Sequence, residues 1–224
     1  MKLKPILFYH NIGHENYKSF STVDEFDYQM NYLSNNNGIK SIDCNNLDNE
    51  IGGFCITFDD GYEDNLIYAL PILKKYNLTA TCFIVPKSIG KTNVWDQHQF
   101  KLMDSYQIKE WIDEGMSIGS HSFSHQNLTK IKNNELKTEI DGSKKYLEDK
   151  FQLDINNFCY PYGKYNQSII NEVKKSEYKK AFTTKRGLYN KLNTNPYEIN
   201  RIPVSRGISK FKLWLKTKTI YEDL

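Results

Sequence analysis

Residues 54–65 read FCITFDDGYEDN. Phe54 to Phe58 make a short run of apolar, aromatic and β-branched residues, the pattern of a strand buried on both faces. The run ends on Asp59 and Asp60, followed by Gly61. Adjacent carboxylates where a core strand surfaces repel one another. Either they sit in a solvated turn, or a counter-charge makes them tolerable. Read alone, Asp-Asp-Gly favours the turn.

Outward from this stretch the same pattern repeats. Strands are expected at PILFYH (5–10), GIKSID (38–43), TATCFIV (79–85), MSIGSH (116–121), NFCYPY (157–162), YKKAFTT (178–184) and INRIPVS (199–205). Between them lie amphipathic helical stretches at 22–36, 63–77, 105–115, 133–151 and 166–177. A Thr22…Glu25 capping box opens the first, Pro71 demands a kink or early break in the second, and Gly115 stops the third. This alternation argues for an α/β fold with a parallel sheet, open or closed into a barrel. With 224 residues, 39% hydrophobic and 25% charged, and with no linker or repeat, residues 1–224 read as a single domain.

Composition excludes several classes. A net charge of +3, spread along the chain, forms neither a nucleic-acid stripe nor an acidic tail. No segment approaches the roughly 20 apolar residues of a membrane span, so any membrane contact is peripheral. The apolar run before His10 falls short of the ~7–15-residue core of a signal peptide, which predicts a cytoplasmic protein if Met1 is the natural start. Cys44, Cys55, Cys82 and Cys159 form no C-x-x-C pair and read as buried free thiols. Oligomeric state is not legible.

In barrels the residues that end strands converge at one face and carry the chemistry. Here they are His10, Asp59 and Asp60, His121 and His125, Tyr162 and Gly163, and Arg201. His121 and His125, at i and i+4, share a face if the segment turns helical and can grip one cation; an isolated pair is more often a cap and a packed ring. An Asp from another strand end reverses that balance. Asp60, His121 and His125 then leave one position open, as in a catalytic zinc-type site, and Asp59 stands free to take a proton from water.

TFDDGY at Thr57–Tyr62, HSFSH at His121–His125 and YPYGKYN at Tyr160–Asn166 resemble, in order, the first three motifs of the polysaccharide deacetylases of carbohydrate esterase family 4, the NodB-homology domain. ILFYHNI, FDYQMNYL, GMSIGSHSFSHQNL, AFTTKRG and INRIPV extend the similarity over residues 5–206. The resemblance implies a distorted (β/α) barrel of about seven strands and metal-dependent removal of an acetyl group from a sugar. It implies Asp59 as base, Asp60, His121 and His125 as ligands to a divalent metal, Zn2+ before Co2+ or Ni2+, and the Tyr162 N–H as an oxyanion donor. Ser122 reads as holding the loop.

Two departures stand out. Where many members carry an arginine that orients the base, this chain has Cys159, and Arg201 at another strand end is the expected stand-in. No histidine follows His125, so the usual final histidine acid is missing. A subset resembling the poly-N-acetylglucosamine deacetylases brings a histidine from an N-terminal YH; FYHNI fits it and makes His10 the candidate acid. Trp95, Asp96, Pro161, Tyr162 and Gly163 are expected to contact the sugar, and His14 and His98 to lie on the surface. The expected substrate is an N-acetyl sugar in a polysaccharide, glycolipid or nucleotide-sugar precursor, such as one for lipopolysaccharide. The alternatives are a non-sugar amide substrate or a non-catalytic carbohydrate-binding relative.

Overall fold

Alternate residues along each strand belong to two separate cores. Ile6, Cys55, Phe83, Cys159 and Phe182 pack into one cluster, whereas Leu7, Tyr9, Ile56, Phe58, Ile84, Ile118 and Phe158 pack into another with the helices. That is the period-two alternation of strands whose one face lines a barrel interior and whose other meets an outer helical layer.

The computed structural model describes residues 3–13, 21–35, 40–49, 52–219 and 221. Its strands are β1 (Ile6–Tyr9), β2 (Ile12–Gly13), β3 (Ser21–Thr22), β4 (Cys55–Phe58), β5 (Thr81–Ile84), β6 (Ser117–Ser120), β7 (Asn157–Cys159), β8 (Lys180–Phe182) and β9 (Ile202–Pro203). β2 and β3 form a small separate pair, and the other seven make one parallel sheet in the order β8-β7-β6-β5-β4-β1-β9. The segment before β9 joins the two ends of this sheet. Ile199 bridges Phe182 of β8 while Ile202 pairs with Leu7 of β1, so a few residues close the ring. β6 and β7 share a single residue pair, Ser120 with Phe158, and there the barrel is distorted.

The helices are α1 (Val23–Ser34), α2 (Leu70–Lys75), α3 (Ser105–Asp113), α4 (Asn133–Lys137), α5 (Ser143–Phe151), α6 (Gln167–Lys175) and α7 (Lys210–Lys218). Thr22 and Glu25 form the capping box that opens α1, and Asp104 and Asn166 cap α3 and α6 with their side chains. Ahead of α2, residues Asn65–Ala69 wind as a π turn, which leaves Pro71 in the first turn of α2, where its missing N–H costs nothing. A second π turn, Thr138–Gly142, joins α4 to α5 and shifts the face that Glu139 presents.

The expected strand at 38–43 is not formed in its described part. Ser41 makes one isolated bridge to Phe54, and residues 38 and 39 lie outside the described residues. The chain bends because the Asp43 carboxylate accepts from the Asn45 and Asn46 N–H groups. Ile42, Cys44 and Leu47 then plug the barrel end opposite the strands' carboxyl ends, backed by an ion pair of Lys180 with Asp48 at 3.1 Å. α7, capped by Ser209, was not among the expected helices. The four cysteines are free and buried.

Candidate active site

Asp59 and Asp60 follow β4, His121 and His125 follow β6, and Tyr162 follows β7. All end strands at one rim, beside a cavity of about 610 Å³ lined by His10, Asp59, Asp60, Trp95, His125 and Tyr162 among others. The backbone there is unusual. Asp60 (φ 74°), Ser122 (φ 60°), His125 (φ 58°) and Tyr162 (φ 58°) are all left-handed, a conformation that costs a side-chain-bearing residue of order 1–3 kcal/mol. Strain at all three loops marks them as built for placement of side chains and not for stability.

Asp60 Oδ1 lies 3.1 Å from His125 Nε2 and 3.5 Å from His121 Nε2, with all three residues buried. It has no hydrogen-bond partner in this buried position. Donors about 2.0–2.1 Å from one tetrahedral ion stand roughly 3.4 Å apart, so this triangle fits a divalent cation. The His121 Nδ1–H donates to the Cys159 carbonyl at 2.8 Å, which turns Nε2 toward Asp60. His125 is oriented by packing instead. Trp95 stacks on it at 4.2 Å and Tyr162 meets it edge-on at 4.7 Å. Burial pushes the His121 imidazole down to about 4, leaving it neutral and able to donate a lone pair. Burial alone would raise the Asp60 carboxyl, but the neighbouring His125 and His121 override it and hold it below the usual range.

Asp59 is almost fully buried and faces the barrel interior. Arg201, wholly buried, reaches it from the β9 edge with both arms, Nη1 to Oδ1 at 2.8 Å and Nη2 to Oδ2 at 2.7 Å. The guanidinium also donates to the Thr57 hydroxyl at 3.0 Å and to the Thr183 carbonyl at 2.9 Å, and stacks over Phe8 at 4.4 Å. Burial raises the Asp59 carboxyl and Arg201 lowers it; the arginine prevails, so Asp59 is held ionised. The Cys159 thiol, pushed up by burial and therefore neutral, lies 3.6 Å from Asp59 Oδ1 and accepts from Arg201 Nη2 at 3.1 Å. Asp59, His121 and Cys159 form a second compact donor set, but a cation there would meet the guanidinium.

A model of the polysaccharide deacetylase family matches residues 49–181, more than half of the chain. The chain belongs to the polysaccharide deacetylase family. YxkH of Bacillus subtilis, classed with the polysaccharide deacetylases, is 33% identical over 213 residues, which are 92% of this chain and 72% of that protein. The poly-β-1,6-N-acetyl-D-glucosamine N-deacetylase of Staphylococcus aureus is 30% identical over 159 residues, 67% of this chain, and the match spans 53% of the staphylococcal protein. The deacetylase PplD of Streptococcus pyogenes, solved with acetate bound, superposes with a TM-score of 0.86 at 26% identity, covering 97% of this chain and 99% of PplD. The stretch matched by the family model contains Asp59, Asp60, His121, His125 and Tyr162 but neither His10 nor Arg201.

In this member of the polysaccharide deacetylases, the remaining expected residues are placed as follows. His10 is half-buried at the cavity, its ring edge-on to Phe8. Trp95 and Asp96 lie on a loop over the cavity, with Asp96 Oδ2 accepting from the Tyr62 hydroxyl at 3.1 Å and from Asn93 at 3.2 Å. Pro161 and Gly163, expected to contact the sugar, flank Tyr162 in the turn after β7 and are not among the residues lining the cavity. Pro161 is buried and begins the turn that carries Tyr162, and a Cβ on Gly163 would meet Thr184 Oγ1 at 1.9 Å. His98 is exposed but lines the cavity, and His14 lies outside the described residues. Ser122 Oγ accepts from the His125 N–H at 3.1 Å, so it braces the histidine loop.

Sequence reasoning missed Glu139 and Thr57. Glu139 receives the Ser124 N–H at 3.0 Å and its hydroxyl at 2.5 Å, holding the loop between the two histidines from outside the barrel. The π turn places it, and nothing in the residue pattern announces that. Thr57 was legible, because it lies two residues before Asp59 on the same strand face.

Proposed function

We propose that this protein is a hydrolase that removes N-acetyl groups from amino sugars of a polysaccharide, with residues 1–224 acting as one catalytic domain. The observation that carries the reading is an ionised Asp59, gripped by Arg201, beside the donor triangle of Asp60, His121 and His125 at the cavity. Two imidazoles and one carboxylate suit Zn2+ best, with Co2+ or Ni2+ as alternatives. Asp60, His121 and His125 would hold the cation. When bound it polarises the amide carbonyl and makes water more acidic.

The chain's own groups perform the rest. An acetamide is a poor electrophile with a poor leaving group, so water must lose a proton as it attacks and the amine must gain one as it leaves. Asp59 accepts the water's proton, and Arg201 keeps its carboxylate charged and oriented until then. The Tyr162 N–H donates to the developing oxyanion, a type of contact worth about 3–4 kcal/mol in the transition state. His10, protonated, delivers its proton to the sugar nitrogen. The C–N bond breaks, and the products are acetate and a free amino sugar.

A polymer is favoured over a lipid- or nucleotide-linked precursor because the staphylococcal relative acts on poly-β-1,6-N-acetyl-D-glucosamine. Acetate bound to PplD is consistent with the same product. Acetate release from N-acetylglucosamine oligomers, set against nucleotide sugars and small amides, tests the substrate class. Release from small amides alone would point instead to a non-sugar substrate.

A further inference from the structure

The geometry points to Asp64 and Asn65 as positioning residues that set the place of His10; this rests on the reading of His10 as the acid. The Asn11 carbonyl keeps one rung, accepting from the Ser21 N–H at 3.3 Å beside the β2–β3 pair, but β1 ends at Tyr9, so no sheet ladder holds the chain at His10. Hydrogen bonds from the far end of FCITFDDGYEDN hold it instead. Asn65 Nδ2 donates to the His10 carbonyl at 2.8 Å. Asp64 Oδ2 accepts from Asn11 Nδ2 at 2.9 Å, and Asp64 Oδ1 accepts from the Ile12 N–H at 3.2 Å. Asn65 Nδ2 also donates to Asp64 Oδ1 at 2.9 Å, which ties the two clamping side chains together.

A helix-capping role accounts for these residues less well. Asp64 precedes the π turn Asn65–Ala69 with helical backbone angles (φ −64°, ψ −22°), not the extended geometry from which a capping aspartate accepts from its own helix. Its side chain makes no such bond, and its carboxylate goes to the β1 extension. Asn65 is fully buried, and its amide, besides its bond to Asp64, crosses to the end of β1 at the His10 carbonyl. Asp59, Asp60 and this clamp therefore share one loop. Whatever sets the base and the cation-binding carboxylate also sets the strand end that carries the acid, within the tolerance that proton transfer needs.

Leaving-group dependence separates this from a merely structural role. The amine of an N-acetyl sugar needs a proton to depart, whereas p-nitrophenolate from p-nitrophenyl acetate does not. Asn65→Ala, and Asp64→Asn as a milder variant, should lower kcat on an N-acetylglucosamine oligomer at least tenfold with KM little changed. Zinc content should be retained, and hydrolysis of p-nitrophenyl acetate should fall far less. In a His10→Ala background, Asn65→Ala should add almost nothing, because the two changes remove one function. Equal losses on both substrates, or a full additional loss in the His10→Ala background, would overturn the clamp. If His10→Ala loses the amide activity and Asn65→Ala keeps it, the clamp alone fails. If His10→Ala keeps full activity on the oligomer, the acid reading fails and takes the clamp with it.

Discussion

Arg201 holds both oxygens of Asp59 inside the barrel, at 2.8 and 2.7 Å, from a strand edge that lies 142 residues away along the chain. The arginine comes from the short segment that closes the ring between β8 and β1, so closing the barrel and charging the base are done by the same residues. Cys159 supplies a neutral thiol to the same pair.

Arg201→Met leaves a buried carboxylate without its partner, which should destabilise the protein by about 3–5 kcal/mol in urea unfolding. The sign for activity follows from the depressed Asp59 carboxyl, held down against burial by Arg201. Without the guanidinium the carboxyl rises, so the acid limb of the kcat/KM profile should move to higher pH. Arg201→Lys should restore charge but not the two-armed grip, and recover only part of the rate.

Cys159→Ala, in contrast, removes a neutral group and leaves the Arg201 fork intact. Turnover should stay within several-fold of the parent. The native protein should resist thiol reagents, because all four cysteines are buried.

Cation-free protein should lose stability as pH falls from about 6.5 to about 4. His121 is neutral in the folded state down to about 4, whereas the unfolded chain takes up its proton near 6.5, so the unfolded state binds more protons across this window. The effect amounts to about 3 kcal/mol at most. It should shrink in His121→Asn, as read by thermal melting after chelation; an unchanged pH dependence would remove His121 as its source.

Gly163→Ala sets a methyl against Thr184 Oγ1 at a left-handed position, φ 62°. A loss of about 2–3 kcal/mol is expected, with turnover falling as the Tyr162 turn shifts. Calorimetry and acetate release measure the two effects separately.

Much of this was legible before any coordinates. Strand ends carried the polar residues in FCITFDD and MSIGSH because a barrel buries everything between them, so Asp59, Asp60, His121 and His125 stood out by type and position. Arg201 was reachable only through the family resemblance, which leads one to expect an arginine at the position of Cys159. Glu139 was not, since a π turn breaks the helical period that would reveal its face. In the described part of the strand expected at 38–43, pairing stops at the single Ser41–Phe54 bridge, and the Ile42 side chain packs into the barrel-end cluster. The turn-shaping parts of Pro161 and Gly163, by ring and by absence of a Cβ, were not legible from the motif, because they depend on Thr184 packing against the turn.

The most direct test compares Asp59→Asn with the parent, both loaded with Zn2+, by acetate released from a β-1,6-linked N-acetylglucosamine oligomer and by bound zinc. The account predicts acetate release by the parent and a loss on the order of 10²–10⁴-fold in the variant at equal zinc content. Undiminished release by Asp59→Asn, or a zinc-loaded parent that binds the oligomer and releases no acetate, would contradict it.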